Sequence, residues 1–435
     1  MAIFQMWVPI IVLFGIAMLV LILLLFRNRP EIIIFISILL NFAPAPSIMK
    51  ASYVLMCITF LYLLLTRLYR KQQIISFDVV NVSWLIIILL GIITIAKWRF
   101  LYLGIQWYAT LAIIPFMLYV LIQDEYISNE GQQWILLRGL PFLFGFIVLE
   151  AIIAFMSILL QNDLNVSAFT FALFRKLSIP GNGSNRLADI LIFIAVFGYT
   201  SMELWKGRWL KNIVMKFIVV SAFFIALTMM SRGSLVGLFM AVITFVFGKM
   251  LTDRKIKILP IIISLLTVLF LLRPFISQII FRMQNIKVDF STLYRLSMWW
   301  DCLVQIKNGI FIGTGPGQFP YRIFNEIHDD PHNMFLRYGV EFGGISIILM
   351  MAILAYPVYL FLKKYRSDPK TTMAIFLLFA PALLGTLMHS QIDYIINSKS
   401  YGPFFWLMWA ICIKMLSSNV QLNKANSFDY LPNHV

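Results

Sequence analysis

The chain has 435 residues, of which 61% are hydrophobic and only 12% charged. A soluble domain is about half apolar and about a quarter charged, so this excess excludes a water-soluble core and implies an integral membrane protein. The formal charge of +16 excludes less than it suggests. Its basic residues sit in short loops beside apolar runs, the positive-inside pattern, and form no clustered patch for nucleic acid.

Crossing a bilayer as a helix takes about 20 apolar residues. In chain order the candidate spans are 7–26, 31–47, 51–66, 79–96, 103–122, 135–160, 187–204, 213–230, 234–248, 257–272, 336–362, 372–389 and 402–417. This predicts an all-α, polytopic membrane protein of 12–13 transmembrane helices, with Pro44 and Pro46 crowding the connection between the second and third. The first apolar run lacks a basic leader and a small-residue cleavage site, so it reads as a retained helix. No repeat and no linker appears, so 1–435 reads as a single transmembrane domain, with 418–435 a short polar tail on the cytoplasmic side.

Sidedness follows from lysine and arginine in the short loops. Arg67, Arg70 and Lys71 form one cluster, Lys206, Arg208 and Lys211 a second, Lys249, Arg254, Lys255 and Lys257 a third, and Lys363, Lys364 and Arg366 a fourth. Alternating spans put all four on the cytoplasmic side. The loops 41–50, 97–102, 161–186, 273–335 and 390–401 then face outward.

The large external loop, 273–335, is the polar exception in an apolar chain. Asp289-Phe290-Ser291 reads as a helix start. Leu293, Leu296, Trp299, Trp300 and Leu303 recur at helical spacing beside Arg295, Asp301, Gln305 and Lys307. That is an amphipathic helix at the interface, able to hold a lipid-linked substrate at headgroup depth.

The candidate chemistry gathers at the ends of this loop. His332, in Pro331-His332-Asn333, stands where the chain re-enters the membrane; an imidazole there suits a general base. His328, Asp329 and Asp330 precede it. Their spacing matches no metal motif, and they read as a turn before a proline, with no metal ion expected. His389 and Asp393 share the outer face as weaker candidates. Arg232, in Ser231-Arg232-Gly233-Ser234 between two apolar runs, is costly in lipid and suits a phosphate or pyrophosphate through its guanidinium fork. Arg186, after Gly181 and Asn185, and Arg295 are further outward arginines, which the positive-inside rule does not predict. Gly313-x-Gly315-x-Gly317 lacks the Lys-Ser/Thr ending of a P-loop, so it reads as a tight turn bringing backbone close to a ligand or to the histidine segment. Cys57, Cys302 and Cys412 are too few and too scattered for a disulfide framework or a zinc site.

Arg295-x3-Trp299, Gly313-x-Gly315-x-Gly317-x-Phe319, His332-Asn333-x-x-Leu336 and Glu341-x-Gly343, in that order, resemble the bacterial O-antigen polymerase and ligase superfamily. Ser231-Arg232-Gly233 is similar to its upstream arginine motif, and Gly181 to Arg186 to its Gly/Asn loop. The resemblance implies a GT-C-like membrane glycosyltransferase of the cell (inner) membrane, with its active site on the periplasmic side and no cofactor or metal. Its substrate would be an undecaprenyl-diphosphate-linked oligosaccharide in membrane lipid, with a chain-length regulator as a possible partner and no nucleic acid.

The resemblance further implies catalytic roles for His332 and Arg232. Substrate-binding roles fall to Arg186, Arg295, Asn333, Gly315, Gly317, His328 and Glu341. His332 is followed by Asn333 but lacks the His-x-His-Asn of ligases, which favours a polymerase; a ligase acting on lipid A core is the alternative. A lipid-linked glycan transporter is the rival of a different class, and uncharged span centres argue against it.

Overall fold

The computed structural model describes residues 30–42, 46–73, 75–123, 130–161, 177, 184–202, 209–229, 231–252, 290–318, 321–323, 326–328, 331–393, 395–398 and 401–418. The predicted spans at 7–26 and 257–272, and the tail beyond 418, lie outside them. In chain order the α-helices are α1 (Pro30–Asn41), α2 (Pro46–Tyr69), α3 (Val79–Ile93), α4 (Leu101–Tyr108), α5 (Ile114–Gln123), α6 (Glu130–Gln161), α7 (Ser184–Ser201), α8 (Trp209–Met229) and α9 (Arg232–Thr252). Then follow α10 (Phe290–Asn308), strands β1 (Tyr321–Ile323) and β2 (Glu326–His328), α11 (Met334–Phe342), α12 (Ile345–Tyr365), α13 (Pro369–His389) and α14 (Tyr401–Ser417).

Among the described residues, eight helical segments are long and apolar enough to cross a membrane, and two shorter apolar helices lie at 32–41 and 401–417. This is an all-α polytopic membrane protein. A helix turn of π type, Ala109–Ile113, joins α4 to α5 within one span. The two strands form one small antiparallel hairpin between α10 and α11, with Arg322 opposite Ile327.

Burial runs opposite to that of a soluble bundle. The outer helices turn large apolar side chains outward: Leu65 is 65% exposed, Val220 65% and Ile348 67%. Such a surface is stable only in lipid. The inner helices α5, α7 and α14 are buried along nearly their whole length. They hold an aromatic cluster in which Phe193 meets Phe197, Tyr401 and Phe404, and Phe144 meets Phe197 and Phe404.

In lipid, close backbone approach replaces the hydrophobic drive between helices. Helices α9 and α13 cross at Gly237 and Gly385. A Cβ added at either glycine would come within 2.8 Å of the other's carbonyl oxygen. Gly233 lies four residues before Gly237, so this contact reaches up to the first turn of α9.

The sequence predicts one span over 336–362. The chain instead breaks at Gly343, whose φ is +101°, and whose missing side chain leaves room for the backbone of Phe311 and Ile312. The short helix α11 thus ends before the span α12 begins. The reason is local: a left-handed glycine stops one helix and Gly344 starts the next.

The two ends of the bundle differ in chemistry. At one end Lys364 donates to the Met415 carbonyl at 2.9 Å and Lys414 to the Gln123 carbonyl at 3.0 Å. These lysines close the C-terminal ends of α14 and α5. At the other end Asn185, Gly233, His332, His389 and Asp393 converge, from predicted outward loops and from span ends beside them.

Candidate active site

His332 is held by three separate elements. The Trp299 indole on α10 donates to the carbonyl of Pro331 at 2.9 Å. The Asn333 side chain caps α11 by accepting from the Leu336 amide at 3.1 Å, and its own NH2 donates to the Gln391 carbonyl at 3.1 Å. The Met334 amide donates to the Ser390 carbonyl at 3.0 Å. Between these anchors His332 adopts φ +54°. A left-handed conformation costs a non-glycine residue about 1–2 kcal/mol, and such strain gathers at functional positions.

The His332 ring faces Asp393, with Nδ1 3.1 Å from Oδ1; the histidine side chain is 24% exposed and the aspartate 5%. The second carboxylate oxygen of Asp393 accepts from the Asn185 amide at 2.7 Å. Burial works to raise the Asp393 carboxyl. The hydrogen bond to His332 and the charges of His332, His389 and Arg295 outweigh it and hold the group down at about 2. An ionised Asp393 accepts from Nδ1–H and fixes the tautomer that leaves Nε2 basic. Orientation, access and tautomer are those of a general base.

A second pair lies one turn deeper. His389 Nδ1 is 2.8 Å from Oδ1 of Asp189, and both are buried. The Thr386 hydroxyl sits 3.4 Å from the other oxygen of Asp189 and 3.0 Å from the Tyr401 hydroxyl. The other side of the His389 ring presses on Gly233, where any added Cβ would strike it. Its Nε2 is buried with no hydrogen-bond partner among the described residues. Asp189 and Asn185 are four residues apart on α7, so one face of that helix serves both histidines.

The glycine turn docks on α11 and on the 94–102 connection. The amides of Thr314 and Gly315 donate to the carbonyls of Val340 and Glu341, both at 2.9 Å. Gly315 (φ +98°) and Gly317 (φ +65°) need left-handed backbone. Cβ atoms there would meet the rings of Trp98 and Trp107. The Gln318 side chain accepts from the amides of Arg99 at 2.7 Å and Phe100 at 3.0 Å and donates to the Phe100 carbonyl at 3.2 Å. Glu341 is fully buried and accepts from Arg337 at 3.1 Å within α11. The Arg337 guanidinium also lies 3.8 Å from the centre of the Trp107 ring.

The expected site residues therefore divide. His332 and Asn333 meet Asp393 and Gln391. Arg295 lies near enough for its charge to act on Asp393, and Arg186 is half-buried next to Asn185 on α7. Arg232 starts α9 directly before the glycine that His389 covers; its side chain lies outside the description. Gly315 bonds to the end of α11, Glu341 lies within that helix paired with Arg337, and Gly317 packs on Trp107. His328 ends β2, and Asp329 and Asp330 lie outside the described residues; among those described, no group of three or more His, Cys, Asp or Glu is arranged to hold a metal.

Sequence reasoning passed over Asp189, Gln318 and Arg337. Asp189 had a readable signal: a carboxylate inside an apolar span is a functional candidate by default. Arg337 had a fainter one, its spacing of four from Glu341.

Comparison with known families adds one match. Residues 217–351 fit the model of the family described as O-antigen ligase. That stretch runs from α8 into α12 and contains Arg232, Arg295, His332 and Glu341. No curated protein matches the chain.

Proposed function

We propose, on the premise that the chain belongs to the O-antigen polymerase/ligase superfamily, that it is a polysaccharide polymerase of the O-antigen, capsule or exopolysaccharide type. Members of that superfamily are membrane glycosyltransferase-type enzymes, and lipid-linked glycans are the substrates the family suggests. The reaction joins undecaprenyl-diphosphate-linked repeat units at the outer face of the cytoplasmic membrane. His332 Nε2 takes the proton of an acceptor sugar hydroxyl. That oxygen attacks the anomeric carbon of the donor glycan, the bond from that carbon to the diphosphate breaks, and undecaprenyl diphosphate leaves. Arg232, with Arg186 and Arg295, neutralises the diphosphate, an electrostatic contribution of several kcal/mol. Asn333 fixes the start of α11, and Glu341, Gly315 and Gly317 hold that helix in register.

The observation that supports this reading is the half-open His332–Asp393 pair, 3.1 Å apart, with the charge of Arg295 on α10 acting on the aspartate. The family description favours a second reading, transfer of the glycan to lipid A core by a ligase. Purified protein with lipid-linked repeat units tests both. A ladder of longer lipid-linked glycans is expected. A single transfer to a lipid A core acceptor, with no ladder, would replace polymerase by ligase. No covalent product with either acceptor would leave the rival of a lipid-linked glycan transporter.

A further inference from the structure

A cleft of about 490 Å³ opens on the same end of the bundle, away from His332. Its walls come from three elements: Lys97 and Arg99, Gln305 and Asn308 at the end of α10, and Thr314 with Gln318 on the glycine turn. Every one of these side chains is a hydrogen-bond donor, two are cations, and none of the described lining residues is acidic. The cleft is pre-shaped, because Gln318 fixes the backbone of Arg99 and Phe100, and Lys97 donates to the Gly313 carbonyl at 3.3 Å. Close in the chain to these residues, Phe100 is 64% exposed, Tyr102 66% and Phe311 72%. Cations beside exposed aromatics suit a phosphorylated lipid headgroup at the interface.

The position is informative. Gln305 and Asn308 lie ten and thirteen residues beyond Arg295 on α10, about 15–20 Å along the helix axis. A reaction between two lipid-linked glycans needs two diphosphate seats. The donor's diphosphate is at the broken bond, beside His332. The acceptor's diphosphate is at the far end of its own glycan. A seat displaced along α10 by the length of a short oligosaccharide meets that need.

We propose that the Lys97–Arg99 cleft seats the diphosphate of the acceptor polyprenyl lipid. The proposal rests on the polymerase reading above. The acceptor glycan then runs along α10 and the glycine turn, its distal hydroxyl reaching His332. Because the turn hydrogen-bonds to α11, a filled cleft also firms the helix that starts two residues after the base.

The test uses full-length protein in nanodiscs, a donor blocked at its acceptor hydroxyl, and one acceptor glycan on two anchors. One anchor is polyprenyl diphosphate; the other is a neutral lipid. The wild type should use the diphosphate-linked acceptor roughly tenfold better, the scale of a charge-assisted phosphate contact. The Lys97→Gln/Arg99→Gln variant should bring the diphosphate-linked acceptor down to the neutral one, by a rise in its KM. Lys97→Gln/Arg99→Lys, which keeps one cation, should recover part of the preference. A variant that keeps the full preference overturns the proposal. So does a wild type that uses both anchors equally well in nanodiscs free of anionic phospholipid. No glycosidic product from the wild type with either anchor would instead bring down the polymerase reading itself, and this inference with it.

Discussion

Two histidine–aspartate pairs sit at one end of the bundle and differ in one respect above all. His332–Asp393 and His389–Asp189 are both in hydrogen-bonding contact, at 3.1 and 2.8 Å. The His332 side chain is 24% exposed, whereas that of His389 is 0% exposed. Access, rather than the pairing itself, separates an imidazole open to solvent from a buried pair that ties α13 to α7. The backbone agrees: the open histidine stands strained at φ +54° between two clamped neighbours, while the closed one ends a regular helix.

The largest effect that sharpens this contrast is on stability. Asp189→Ala leaves His389 buried without its partner, and His389→Ala does the same to Asp189. Breaking a buried pair costs about 3–5 kcal/mol, so each should lower the thermal unfolding temperature in detergent clearly. Asp189→Leu/His389→Leu should recover much of that loss, since well-packed apolar substitutes are often neutral. His332→Asn, on the open pair, should lose clearly less, because asparagine tolerates left-handed backbone and its NH2 can still donate to Asp393.

Next comes pH. The Asp393 carboxyl is held at about 2, against about 3.9 in an unfolded chain. Its contribution, roughly 2 kcal/mol, is therefore fully present above about pH 4 and lost as pH falls through the folded value. The stability gap between wild type and Asp393→Asn should narrow as pH falls below about 4. A gap unchanged down to about pH 2 would mean that the surroundings do not hold the carboxylate ionised.

A comparable or smaller loss should follow from Gly233→Ala. The methyl group strikes the His389 ring, an overpacking cost of about 1–3 kcal/mol, read as a lower unfolding temperature. If Gly233→Ala is neutral, His389 does not press on the start of α9. Smallest is the effect of a chelator: treated enzyme should retain its activity on lipid-linked repeat units, and loss restored by manganese or magnesium would bring Asp329, Asp330 and His328 back as ligands.

The apolar runs made the helical architecture legible, because lipid imposes a length and composition that few other environments do. The separation of the two ends was also readable: Lys364 and Lys414 close helix ends at one, and His332, Asp393 and Asn185 meet at the other. The break at Gly343 was missed because hydropathy cannot see a single left-handed glycine inside an apolar run. The site was half legible. His332 stood out by its place after a proline at a membrane entry. Its pairing with Asp393 spans 61 positions, and no local pattern encodes that. The resemblance gave Glu341 a binding role; its burial against Arg337, at 3.1 Å inside the protein, is something that no local pattern shows.

The central claim is that the open pair, and not the closed one, carries the chemistry. Product length from purified His332→Asn, set beside wild type on identical lipid-linked repeat units, tests it most directly. A general base is worth about 10²- to 10⁴-fold, so the account predicts a folded, inserted protein that yields no ladder. A ladder of wild-type length from that variant would contradict it.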